Sequence, residues 1–85
     1  MLIVKKQFFL TTWLVTVTSD QYPYYLNFAR RVFSKCLNFS GETLESEKES
    51  LKQEFILRGL NPTVLDHIIV ICQDKAQQVK AAMGD

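Results

Sequence analysis

The chain is short of the side chains and patterns by which a small protein usually declares its chemistry. Its three glycines stand apart at positions 41, 59 and 84, so no glycine-rich loop can cradle a phosphate. One histidine, His67, and two cysteines, Cys36 and Cys72, are all the imidazole and thiol it holds. They form no CxxC, no H-E-x-x-H, and no G-x-S-x-G occurs. Cys72 follows His67 by five residues and points elsewhere on a helical wheel, which excludes a local thiolate–imidazole pair. Glu45, Glu47 and Glu49 face different directions on a helix, so they read as a solvated acidic face and not as paired carboxylates. No catalytic residue, cofactor or metal ligand is expected, and the chain does not read as an enzyme.

Long apolar runs are missing as well. No stretch reaches the ~18 consecutive apolar residues of a membrane span. An excess of one charge is also absent: ten Lys and Arg stand against nine Asp and Glu, a net charge of +1. That argues against a dedicated nucleic-acid coat. Two cysteines are too few for a disulfide framework, and both sit at apolar positions of helical patterns. Buried free thiols and a reducing, cytoplasmic setting are the expectation.

With 85 residues, one domain spanning 1–85 is expected, burying roughly 60–65% of its unfolded surface. The charges are uneven along it. Residues 1–40 carry five cations against Asp20, a balance of +4, and residues 41–85 carry five cations against eight anions, a balance of −3. Two such halves can attract each other within one chain or between copies.

The best-defined stretch is 22–37, YPYYLNFARRVFSKCL. At about 100° per residue, Tyr22, Tyr25, Leu26, Ala29, Val32, Phe33, Cys36 and Leu37 fall within one arc of roughly 140°, a core stripe. The other side carries Tyr24, Phe28, Arg31 and Lys35 at spacing i, i+4, i+7, i+11, with Arg30 nearby. Aromatics and arginine are the types enriched in protein–protein hot spots, because they bury much area for few torsions. These five residues are the candidate interface.

Residues 1–18 favour an extended segment, rich in Val, Ile, Phe, Trp and Thr. From Thr12 the alternation sets Trp13, Val15 and Val17 on one side and Thr12, Thr16 and Thr18 on the other, with Leu14 out of pattern. A lone strand leaves backbone groups unsatisfied, so its partner is either the preceding 2–10 segment or the same strand of a second copy. A rival reading is a targeting segment, with Lys5 and Lys6 ahead of an apolar 8–17. No A-x-A-like cleavage site follows it, and three threonines dilute the run.

Ser19 or Asp20 would cap the helix after this segment, with Pro23 in its first turn. Residues 42–58 read as a second helix with glutamates at its positive end and a thin apolar stripe of Leu44, Leu51 and Phe55. The stripe widens only at Ile56, Leu57 and Leu60. Glu54 and Arg58 are spaced for an i, i+4 pair, and Gly59 suits a left-handed cap. Asn61 or Thr63 then caps a third helix reaching about 83. The expected fold is mainly α: helices at about 20–37, 42–58 and 62–83 after an extended segment at about 2–18. Helices two and three are expected to form an antiparallel hairpin with the first packed across it.

The function these features suggest is a non-enzymatic, adaptor-like interaction or regulatory protein. It would dock a protein partner, or a second copy of itself, through the aromatic and basic face of the first helix. Two alternatives follow from other features: a small nucleic-acid-binding regulator using Arg30, Arg31 and Lys35 with Lys5 and Lys6, and a membrane-associated or exported protein using 1–18.

Overall fold

Period-two alternation before residue 18 and a period near 3.6 after residue 21 divide the chain into a hairpin and three helices. In the computed structural model, which describes residues 5–9 and 14–83, the elements are β1 (Lys5–Phe9), β2 (Leu14–Thr18), α1 (Tyr22–Asn38), α2 (Gly41–Leu57) and α3 (Pro62–Ala82). This is a small, mainly α domain. Among the described residues, no helix is long and apolar enough to cross a membrane.

The partner of β2 is the preceding segment of the same chain. β1 and β2 pair antiparallel in a register running from Lys5 opposite Thr18 to Phe9 opposite Leu14. The alternation decides which side of the hairpin meets the helices. Val17 is buried in the core and Val15 is packed against it, while Thr16 is exposed. Thr12 and Trp13, expected to continue that alternation, and the side chains of Lys5, Lys6 and Leu14 lie outside the described residues.

The caps follow the sequence in part. Asn61 caps α3, its side-chain oxygen accepting the Thr63 N–H at 2.8 Å, and Pro62 occupies the first turn, where a missing N–H is harmless. Gly59 takes φ +93° just beyond α2, a left-handed conformation that a side chain would resist. At α1 the expectation differs from the structure. Gln21, and neither Ser19 nor Asp20, stands at the N-cap, and it makes no side-chain capping bond. Its side chain instead accepts a hydrogen bond from the Thr18 hydroxyl at 3.3 Å, tying the helix start to the end of β2.

The helices do not assemble as a simple α2–α3 hairpin. α1 packs most extensively against α3, next against α2, and α2 and α3 touch least. α1 and α3 run in the same direction. The Tyr25 hydroxyl accepts the Asn61 N–H at 2.9 Å, the Cys72 thiol donates to the Ala29 carbonyl at 3.3 Å, and Cys36 shares a cavity with Ala76 and Lys80. α1 and α2 run antiparallel, with Phe28 edge-on to Phe55 at 5.1 Å between ring centroids. α1 is thus the central element, because its large side chains serve two neighbours. The thin stripe of α2 offers α3 little to hold.

The stripe on α2 is thin because a lysine interrupts it. Leu44, Lys48, Leu51 and Phe55 follow i, i+4, i+7, i+11, and Lys48 is buried at 7% exposure. Its aliphatic stem fills the position a leucine would take, and its ammonium emerges to meet Glu45 at 2.7 Å; this is how a long amphipathic side chain occupies a core edge.

The basic and acidic halves attract each other within the chain. Arg31 pairs with Glu54 at 2.9 Å, and Lys35 with Glu47 at 2.9 Å. Lys52 on α2 pairs with Asp66 on α3 at 2.7 Å.

Candidate functional site

The five residues marked on α1 do not form one surface. Phe28 is fully buried at 0% exposure, among the largest core side chains, which corrects its expected place on a docking face. The reason is geometric. Because α1 has neighbours on two sides, its buried arc is turned from the expected stripe, toward Phe28 and away from Leu26. Leu26 is accordingly exposed. Arg31 and Lys35 lie over α2, held by their carboxylate partners. Arg30 is exposed on the opposite flank of α1, apart from the others. Tyr24 remains half exposed at 50%.

The line of Tyr24, Phe28, Arg31 and Lys35 is the α1–α2 seam. Phe55 lies at its centre. Its ring meets Phe28 edge-on, and the guanidinium carbons of Arg31 and Arg58 stand 5.6 and 5.2 Å from its centroid, within reach of the ring's negative face. One carboxylate oxygen of Glu54 joins the two arginines, at 2.9 Å from Arg31 and 3.3 Å from Arg58. The hydrogen bond from Arg31 holds the Glu54 carboxyl below its ordinary range; desolvation opposes it, and the charges of Arg31 and Arg58 add smaller pushes downward. Two cations on one anion leave a surplus positive charge at this end of the seam.

That surplus borders a groove of about 570 Å³ lined by Asp20, Gln21, Tyr24, Arg58 and Leu60. Two turns of the chain build it. The β2–α1 turn supplies Asp20 and Gln21, with Tyr24 one helical turn on. The α2–α3 turn supplies Arg58 and Leu60 on either side of Gly59. The hydrogen bond between Tyr25 and Asn61 fixes the two turns against each other. Leu60 is buried and forms an apolar base, whereas Tyr24 and Arg58 are exposed.

Of the residues expected to form an interface, the groove contains Tyr24 alone. Arg58 and Asp20 entered the sequence reading as a helix-pair member and a capping candidate. Their convergence depends on how α2 folds back over α1, and no local spacing signals it. Among the described residues, no group of three or more His, Cys, Asp or Glu side chains is arranged to hold a metal ion. Both cysteines are buried, and burial pushes the Cys72 thiol up to about 11, with the nearby Cys36 adding to the rise. No protein-family model, no curated protein and no solved structure matches this chain, so its functional reading rests on the geometry of the seam and its groove.

Proposed function

We propose that this chain is a non-enzymatic interaction domain that docks a protein partner in the groove at the end of the α1–α2 seam, with Tyr24 and Arg58 as its principal contacts. The observation that carries this reading is the convergence of a half-exposed tyrosine and an exposed arginine over a buried leucine. Tyrosine and arginine surrounding an apolar base are the composition of an interface hot spot. Among the described residues, Arg58 is under-used. One of its five N–H donors reaches a carboxylate oxygen already engaged by Arg31, which leaves donors for a partner's acceptor.

The geometry favours this site over the α1 face as a whole. Phe28 belongs to the core, and Arg31 and Lys35 are neutralised by Glu54 and Glu47. The same ion pairs weigh against a nucleic-acid reading built on Arg30, Arg31 and Lys35, because phosphate binding needs cations free to displace counterions.

The test is site-specific photocrosslinking in the native host cell. A photoreactive phenylalanine analogue replaces Tyr24 and, in a control, Gln78 on α3. A discrete protein adduct at position 24 that is absent at 78 and abolished by Arg58→Glu supports the reading. Equal labelling at both positions, or an adduct insensitive to Arg58→Glu, would refute it.

A further inference from the structure

The groove at the end of the α1–α2 seam has a charge pattern as well as a shape. Because α1 and α3 run in the same direction, both begin at this end of the molecule, Tyr22 and Pro62 opening the two helices. A helix N-terminus carries roughly half a positive charge, which an Asp or Glu in the first turn commonly offsets. Neither α1 nor α3 has an acidic residue in its first turn. α2 ends here and contributes the opposite sign, so two positive helix ends stand against one negative. Arg31 and Arg58 add two cations, and Glu54 answers both with the same oxygen. Asp20 is the one acidic side chain lining the groove, and it lies on the β2–α1 turn, the lip across from Arg58.

We infer that the groove takes an acidic peptide segment, in which a carboxylate meets the Arg58 guanidinium and a neighbouring apolar side chain lies on Leu60 against the Tyr24 ring. This rests on the docking role given to the groove above and assigns its partner a chemistry. Arg58 suits a carboxylate. Its guanidinium stands 5.2 Å from the Phe55 ring centroid, which restrains a half-exposed side chain, and a restrained fork loses less freedom on binding. Among the described residues its one carboxylate contact is the Glu54 oxygen at 3.3 Å, the longer of the two that this oxygen makes. Arg58 can therefore turn its other donors to a second carboxylate in a paired, charge-assisted contact, while Glu54 stays neutralised by Arg31. Asp20 repels an anion from its own lip and so registers the segment with its acid toward Arg58. A polyanion such as a nucleic acid fits less well, because Arg58 is the one cation lining the groove and Asp20 shares the same space.

The test selects a phage-displayed random peptide library on the folded, full-length chain. Selected peptides are then synthesised, and fluorescence anisotropy reads their affinity. Groove binders are those that Tyr24→Ala weakens by about tenfold or more. They are expected to share an Asp or Glu beside an apolar residue. Replacing that acid by its amide should weaken binding to the wild type about tenfold, and to Arg58→Gln no more than about twofold. Selection on Arg58→Glu should exchange the acid for Lys or Arg. Tyr24 and Arg58 are both exposed, and circular dichroism checks that the variants fold. Groove binders without the acid, or with an acid whose amide loses as much on Arg58→Gln as on the wild type, would overturn the acidic partner and leave the docking groove standing. If Tyr24→Ala weakens no selected peptide, the groove is not a docking site and both conclusions fall.

Discussion

Individual side chains in this domain differ sharply in what they contribute, and burial separates them. Phe28 and Phe55 are both at 0% exposure and meet edge to face. Phe28→Ala would remove both the transfer term and the ring contact and leave a cavity, so it is expected to destabilise the fold by about 3–5 kcal/mol. A urea titration followed by far-ultraviolet circular dichroism would show it. A docking test that removes Phe28 is therefore a folding test. Leu57 sits near that seam in sequence, yet it is 87% exposed, and Leu57→Ala should change stability by no more than about 0.5 kcal/mol. Tyr25→Phe keeps the ring and removes the acceptor for the Asn61 N–H. It should lose about 1–3 kcal/mol, with the Asn61 amide exchanging faster with solvent.

Among the elements, the extended segment and the three helices were legible in the sequence, because each rests on local rules: alternation, helical spacing, Pro in a first turn, and Gly or Asn at an end. Alternation alone left open whether β2 pairs with the preceding segment or with a second copy, and the structure chose the former. Their packing was less legible. A stripe shows that a helix has a core side, but the width and direction of that side depend on how many neighbours it meets. α1 meets two, and so Phe28 went inward and Leu26 outward. α2 is where stability can be gained. Lys48 holds a position in its stripe between Leu44 and Leu51, with its charge satisfied only at the surface by Glu45. Lys48→Met keeps the buried stem and removes the need to bring the ammonium out. It is expected to raise the urea midpoint by an amount worth about 0.5–1 kcal/mol, whereas Lys48→Ala should lower it through lost packing.

For the molecule as a whole, the uneven charge of the sequence is resolved by folding α2 against the basic α1. These pairs are at the surface, so each is worth little and is screened by salt. Their pH signature has a definite sign. Glu54 is held below its ordinary value of 4.5 in the folded chain. Its contribution is complete above that value and is lost as pH falls through the lower, folded one. Lys52 is raised above 10.5, chiefly by its hydrogen bond to Asp66. Its contribution is complete below 10.5 and is lost as pH climbs past it. Urea midpoints measured across pH should fall at both ends, and Glu54→Gln should flatten the acid limb alone. An unchanged acid limb would mean that the Arg31–Glu54–Arg58 cluster does not form in solution.

The sequence by itself determined the elements, their approximate limits, most of the caps, the mainly α class and the inward-facing cysteines, because all of these follow from interactions within a few residues along the chain. Only the tertiary structure decided that α1 and α3 form the main contact, that Phe28 is core, and that Tyr24 and Arg58 share a groove. Those facts depend on residues more than twenty-five positions apart, brought together by the closing of two turns under the hydrogen bond from Asn61 to Tyr25. No spacing along the chain encodes such a meeting. It is set by which apolar faces bury most surface when all the elements pack at once.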